Sequence, residues 1–245
     1  MKDYLIDTHA HLDMLTEIDI SGVGKVIVPS VEINAMEKVV DLSKLDNVYS
    51  MVGIYPTEAK TYSDEVENKM KEFAQNPKVV AIGEIGLDYY WDKSFSELQK
   101  EVFIKQIKLA NQLNLPIVVH DREAHKDCFD ILNEHNKVSK VLFHCFSGSV
   151  EFMQECVKKG WFIALGGVVT FKNAIKMKEV AKLVPLDKLV LETDSPYLTP
   201  VPFRGKENKP AYVRYVAEEI AKLRSISVEE IVDITTSNAE GFFNI

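Results

Sequence analysis

The stretch PIVVH, residues 116–120, decides the fold class. Pro116 punctuates its entry, Ile117-Val118-Val119 is an unbroken β-branched run, and His120 places an ionisable group at its exit. A strand with one face in water alternates apolar and polar residues. An unbroken apolar run suits a strand covered on both faces, as in a parallel sheet. Just upstream, Leu98, Val102, Ile107, Ala110 and Leu113 recur at helical spacing within residues 95–113, and Ser94 with Glu97 predicts a capping box in front of them.

The same unit repeats in both directions. Further apolar runs occupy residues 4–6, 26–28, 48–54, 79–82, 141–143, 161–165 and 189–191, with helical patterns between them. Ser227 with Glu230 repeats the capping signal before a last helix. Eight strands alternating with helices predict an α/β chain folded as a (β/α)8 TIM-type barrel, one domain over residues 1–245. A doubly wound open sheet is the structural alternative. No tandem repeat, low-complexity segment or linker divides the sequence.

Composition narrows the function classes. With 46% hydrophobic and 27% charged residues, the sequence reads as an ordinary globular protein. A net charge of −8 and a pI near 5.4 give no basic footprint for general nucleic-acid binding. Cys128, Cys145 and Cys156 form no CxxC pair, so neither a disulfide framework nor a thiolate zinc site is expected. No apolar run approaches the ~18 residues of a membrane span and no secretory signal pattern opens the chain, so a cytoplasmic protein without an obligate protein partner is expected.

The ends of the predicted strands carry the chemistry. They are Asp7-Thr8-His9-Ala10-His11, Glu84 in GEIGLD, His120, His144 in VLFHCFSG, and Glu192-Thr193-Asp194 in LVLETDSPYL. Taken singly, each has an ordinary reading: a hydrogen-bonded loop histidine, a capping carboxylate, or a turn at Asp194-Ser195-Pro196. His9 and His11 are stronger together, because residues i and i+2 of a strand share a face. At the C-terminal strand ends of one barrel, His9, His11, Glu84, His120, His144 and Asp194 would converge. Imidazole with carboxylate suits zinc, iron or manganese, and carboxylate with water extends the range to magnesium. A bound ion would offset the cost of burying so many ionisable groups. His125 and His135 fall in the helical stretch after the fifth strand and read as solvated or capping. The cysteines read as structural, with Cys145 on the opposite side of its strand from His144.

The motifs DTHAHLD, AIGEIGLDYY, PIVVHDREA, HCFSGS, LVLETDSPYLTP, RGKENKPAYV and SNAEGFF occur in that order between residues 7 and 243. In this the sequence resembles the TatD family of metal-dependent deoxyribonucleases, within the amidohydrolase-like barrels. The resemblance implies up to two divalent ions (magnesium, manganese or zinc), with His9, His11 and Asp194 on one, His120 and His144 on the other, and Glu84 bridging. It places Arg122 and Arg204 near the substrate. It also implies phosphodiester hydrolysis by a metal-activated water, with Asp194 accepting the proton and Glu84 fixing the ions. The acidic charge favours exonuclease-like action on single-stranded or frayed DNA ends. One departure stands out: GIYPTEA, with Tyr55 and Thr57, replaces a histidine-rich GxHP turn found in many relatives. The competing expectations are a hydrolase of a small cyclic amide, lactone or phosphoester, and a non-catalytic barrel scaffold.

Overall fold

The computed structural model describes residues 2–138 and 140–245. The chain divides into two compact units, one of Met1–Val28 with His144–Ile245 and the other of Pro29–Phe143.

The first unit is built on parallel pairs. Strand β1 (Ile6–Asp7) pairs with β2 (Lys25–Pro29), and β7 (Phe162–Leu165) pairs with β8 (Leu189–Leu191). Beyond β1 the pairing passes to β8: the Thr8 amide donates to the Leu191 carbonyl at 3.0 Å, and Ala10 bridges Ser195 in parallel. The strand order within this unit is therefore β7-β8-β1-β2. Its helices are α5 (Val150–Lys158), α6 (Ile175–Leu183), α7 (Val213–Arg224) and α8 (Val228–Phe243). Ser149 and Ser227 cap α5 and α8, each side-chain oxygen accepting from the amide three residues on, as Ser227 with Glu230 predicted. Val26, Ile27, Ile163, Val190, Val216, Ile220, Ile231 and Phe242 are buried apolar residues of this unit.

In the second unit β3 (Val48–Val52), β4 (Val79–Asp88), β5 (Ile117–Arg122) and β6 (Val141–Phe143) pair in parallel in chain order. The helices are α1 (Ile33–Leu42), α2 (Asp64–Phe73), α3 (Ser96–Leu113) and α4 (His125–His135). All ten residues of β4 are buried, although the apolar run that predicts it stops at Ile82. Gly86 explains part of this extension. It stands at φ +146°, and a Cβ there would lie 2.0 Å from the His120 carbonyl oxygen. Only glycine lets β4 approach the end of β5 so closely.

Helix α3 corrects two expectations. It starts at Ser96 behind Phe95, so Ser94 makes no capping box. Leu98 and Leu113 are only half-buried, whereas Gln99 and Gln106 are buried in their place. These two amides act as substitute strand partners. Gln99 accepts from the Asp88 amide (2.9 Å) and donates to the Asp88 carbonyl (3.0 Å). Gln106 does the same for Ile54, at 2.7 and 3.1 Å. A third correction concerns Cys145. Strand β6 ends at Phe143, so strand alternation does not govern Cys145, whose backbone turns left-handed at φ 42°. Among the described residues no helix is long and apolar enough to cross a membrane.

Candidate metal centre

In the first unit His9, His11, Glu192 and Asp194 stand where β1 and β8 run out, and His144 directly follows Phe143. Strand β1 closes at Asp7, and His9 and His11 lie just beyond it. Backbone pairing persists there: the Asp194 amide donates to the His9 carbonyl (2.9 Å), and the His11 amide donates to the Ser195 carbonyl (2.8 Å). This continued pairing, rather than a regular strand, puts the two imidazoles beside Asp194. Asp194 sits at φ 56°, a conformation that aspartate tolerates better than most residues.

Asp194 Oδ1 lies 3.4 Å from His11 Nε2 and 3.9 Å from His9 Nε2. Donors sharing one tetrahedral ion at bond lengths of ~2.0–2.1 Å would stand about 3.4 Å apart. Burial alone would raise the Asp194 carboxyl, but His11, then His9 and His144, outweigh it and hold the group below the usual carboxylate range. The His9 ring stacks on that of His144 with centroids 3.9 Å apart. His144 Nδ1 lies 3.7 Å from Glu192 Oε1, which also accepts from the Cys145 amide at 2.6 Å. His9, His144 and Glu192 are all buried and offer ligand atoms within 4.8 Å of one another. Glu192 Oε2 is buried without a hydrogen-bond partner among the described residues. An orphaned carboxylate oxygen beside two buried imidazoles fits a divalent cation, which would satisfy that oxygen.

Sequence reasoning quoted Glu192 at its strand end but passed over it for Asp194. Its signal was an acidic residue directly after the apolar run of β8. Two supporting side chains escaped as well. Asp7, fully buried, accepts from the Thr193 hydroxyl (2.5 Å), the Thr193 amide (2.9 Å) and the His9 amide (3.3 Å). Burial pushes its carboxyl up to about 8, against the pull of those hydrogen bonds. Asn208 donates to the Thr193 and Tyr197 carbonyls at 2.9 and 2.6 Å, tying RGKENKP to the segment after β8. Arg204 in the same motif donates to the Thr199 carbonyl at 3.0 Å and rests 4.0 Å from the Phe171 ring centroid.

In the second unit Glu84 from β4 and His120 from β5 meet directly, Nδ1 to Oε1 at 2.8 Å. Nε2, the other ring nitrogen, lies 3.0 Å from Asp88 Oδ2, and the Tyr55 oxygen is 3.0 Å from both Nε2 and Asp88 Oδ2. Burial, then the charges of Glu84 and Asp88, raise the Tyr55 phenol, which stays a neutral donor. Burial would raise Asp88 too, but the His120 hydrogen bond and charge, the Tyr55 hydroxyl and the Tyr90 amide outweigh it and hold its carboxyl low. Tyr55, the departure from the family turn, thus belongs to the surroundings of His120. Arg122 closes β5 with its guanidinium carbon 3.8 Å from the Tyr90 ring centroid. Of the predicted ligands, His9, His11, His144 and Asp194 belong to the first unit and Glu84 and His120 to the second.

Residues 6–244 match the family model described as TatD related DNase. The uncharacterized metal-dependent hydrolase YabD of Bacillus subtilis is 44% identical over 253 residues, covering 98% of this chain and 99% of YabD. The uncharacterized metal-dependent hydrolase TatD of Mycobacterium tuberculosis is 32% identical, covering 98% of both chains. The crystal structure of YjjV, a TatD homologue from Escherichia coli, superposes with a TM-score of 0.92 at 31% identity, over 98% of each chain. A dihydroorotase structure at 15% identity and a TM-score of 0.66, covering 99% of this chain and 72% of its own, shares the fold alone. The fold is the eight-stranded parallel α/β barrel of the TatD structures. The chain belongs to the TatD family of metal-dependent hydrolases.

Proposed function

We propose that the protein hydrolyses phosphodiester bonds of DNA, removing nucleotides from single-stranded or frayed ends. The observation that carries the metal-dependent part is the buried donor set His9, His144 and Glu192 with its orphaned Glu192 oxygen, beside His11 and Asp194. The choice of DNA rests on the DNase family whose model the chain matches. His9, His11, His144, Glu192 and Asp194 in one unit, and Glu84 and His120 in the other, would supply ligands for up to two ions of magnesium, manganese or zinc. Such an ion acts as a Lewis acid at the phosphate and lowers the pKa of a bound water from 15.7 to about 7.

The chain's own residues supply the rest. Asp194, a carboxylate beside His9 and His11, takes the proton of the attacking water. Asp88 fixes the ring of His120 and so the nitrogen it turns toward Glu84. Arg122 and Arg204 hold phosphate oxygens through guanidinium donors.

The test strips the protein with a chelator, restores magnesium, manganese or zinc singly, and follows nucleotide release from end-labelled single-stranded DNA. Release should return with metal and vanish in Glu84→Ala and His120→Ala. Asp194→Asn should lose at least about 100-fold in turnover with its fold intact. Metal-loaded protein that releases nothing, yet hydrolyses a lactone or cyclic amide, would overturn the DNA reading.

A further inference from the structure

Two large aromatic residues stand in water just beyond β4: Tyr90 is 50% exposed and Trp91 66% exposed. Their rings meet edge to face, centroids 5.0 Å apart at 84°. Arg122 lies against this pair, its guanidinium carbon 3.8 Å from the Tyr90 centroid and 5.3 Å from that of Trp91. Lys93 adds a second cation beside the neighbouring Tyr89 ring, at 5.2 Å. An exposed aromatic pair braced by an arginine is costly to leave in water and adds nothing to the core.

The pair is also held in place. Asp88 Oδ1 accepts from the Tyr90 amide (2.9 Å) and the Trp91 amide (3.3 Å), while Oδ2 of the same carboxylate lies 3.0 Å from His120 Nε2. In the sheet register Asp88 faces Arg122, and Gly86 faces His120. One buried carboxylate therefore sets the backbone of the aromatic pair and the ring of a candidate ligand together.

We propose that Trp91, Tyr90 and Arg122 form a subsite that stacks an unpaired nucleobase of single-stranded DNA, next to the strands that carry Glu84 and His120. This rests on the DNA-hydrolase reading and names how that substrate is gripped. A base has a π-face whatever its identity, so stacking on Trp91 grips the strand without reading its sequence. Arg122 supplies positive charge for the adjoining phosphate. A base already paired in a duplex offers no free face, so the subsite selects single-stranded or frayed ends.

The test uses metal-loaded protein and a short hydrolysis-resistant phosphorothioate deoxythymidine oligomer carrying a fluorescent label. A second probe has the same backbone without bases. By anisotropy, wild type should bind the base-bearing probe about tenfold more tightly than the abasic one, about 1.4 kcal/mol. Trp91→Ala should erase that preference, Trp91→Phe should keep most of it, and the abasic probe should bind all three proteins alike. Intrinsic fluorescence gives a second readout, because the other tryptophan, Trp161, is buried. The base-bearing probe should quench wild type and leave Trp91→Phe unquenched. Equal binding of the two probes, no measurable binding of the base-bearing one, or an unchanged preference in Trp91→Ala would overturn the subsite. Failure of wild type to release nucleotides would instead sink the DNA-hydrolase reading, and the binding result would stand on its own.

Discussion

Asp88 does more than any residue that sequence reasoning selected. It is fully buried and meets Tyr55, His120 and the amides of Tyr90 and Trp91. A carboxylate accepting from the outer nitrogen of a histidine fixes its tautomer and raises its basicity as a ligand. With a cation bound, a proton kept on Nε2 would leave the Nδ1 lone pair of His120 to that cation beside Glu84. Asp88→Asn keeps the shape and one acceptor oxygen but removes the charge. It should weaken metal binding by about 10- to 100-fold. Calorimetric titration of chelator-stripped protein with manganese or zinc reads this directly, and unchanged circular dichroism shows that the fold is kept. Wild-type affinity in Asp88→Asn would mean that Asp88 serves only the backbone of the aromatic segment.

At the scale of elements, the apolar runs placed all eight strands, because burial on both faces leaves a signal in residue type alone. That signal stops where burial needs partners rather than apolarity. The second half of β4 and the buried face of α3 are examples, since Asp88 and Gln99 are buried by hydrogen-bonding each other's element. Glu192 was passed over for a similar reason: its place directly after the apolar run of β8 marks it no more strongly than Asp194 two positions later. Another unannounced tie joins the ends of the first unit. Glu240 in α8 accepts from the Lys2 amine (2.6 Å), the Tyr4 hydroxyl (2.5 Å) and the Lys25 amine (3.1 Å). Burial would raise the Glu240 carboxyl, but Lys2, Tyr4 and Lys25 outweigh it and hold it at about 2, against an ordinary 4.5. A depressed folded-state value stabilises the protein above the unfolded value, and the contribution fades as pH falls from 4.5 toward 2. Glu240→Gln should therefore cost roughly 2 kcal/mol at pH 7, after discounting for the partly exposed Lys2. Urea unfolding at pH 7 and pH 3 checks it. The gap between variant and wild type should narrow at the lower pH, and a pH-independent gap would assign the effect to packing.

At the scale of the whole molecule, a net charge of −8 sets the terms on which DNA can bind. A protein that neutralises many phosphates with lysine and arginine shows affinity falling steeply with salt, by a slope of about −0.7 per contact for single strands. Here the cations assigned to phosphate are few, Arg122 and Lys93 beside the proposed base subsite and Arg204, so about three phosphate contacts are available. The expected slope of log affinity against log salt is therefore about −2.1. Base stacking carries no counterion release, so the preference for the base-bearing probe should persist as salt rises while overall affinity drops only gently. Repulsion from the acidic surface is itself screened over about 10 Å at 0.1 M salt, which flattens the dependence further. Anisotropy titrations across a salt series measure the slope. A value steeper than about −3 would mean that four or more cationic contacts engage the backbone. The strand would then be gripped mainly by charge, and the stacking subsite would be a minor contributor.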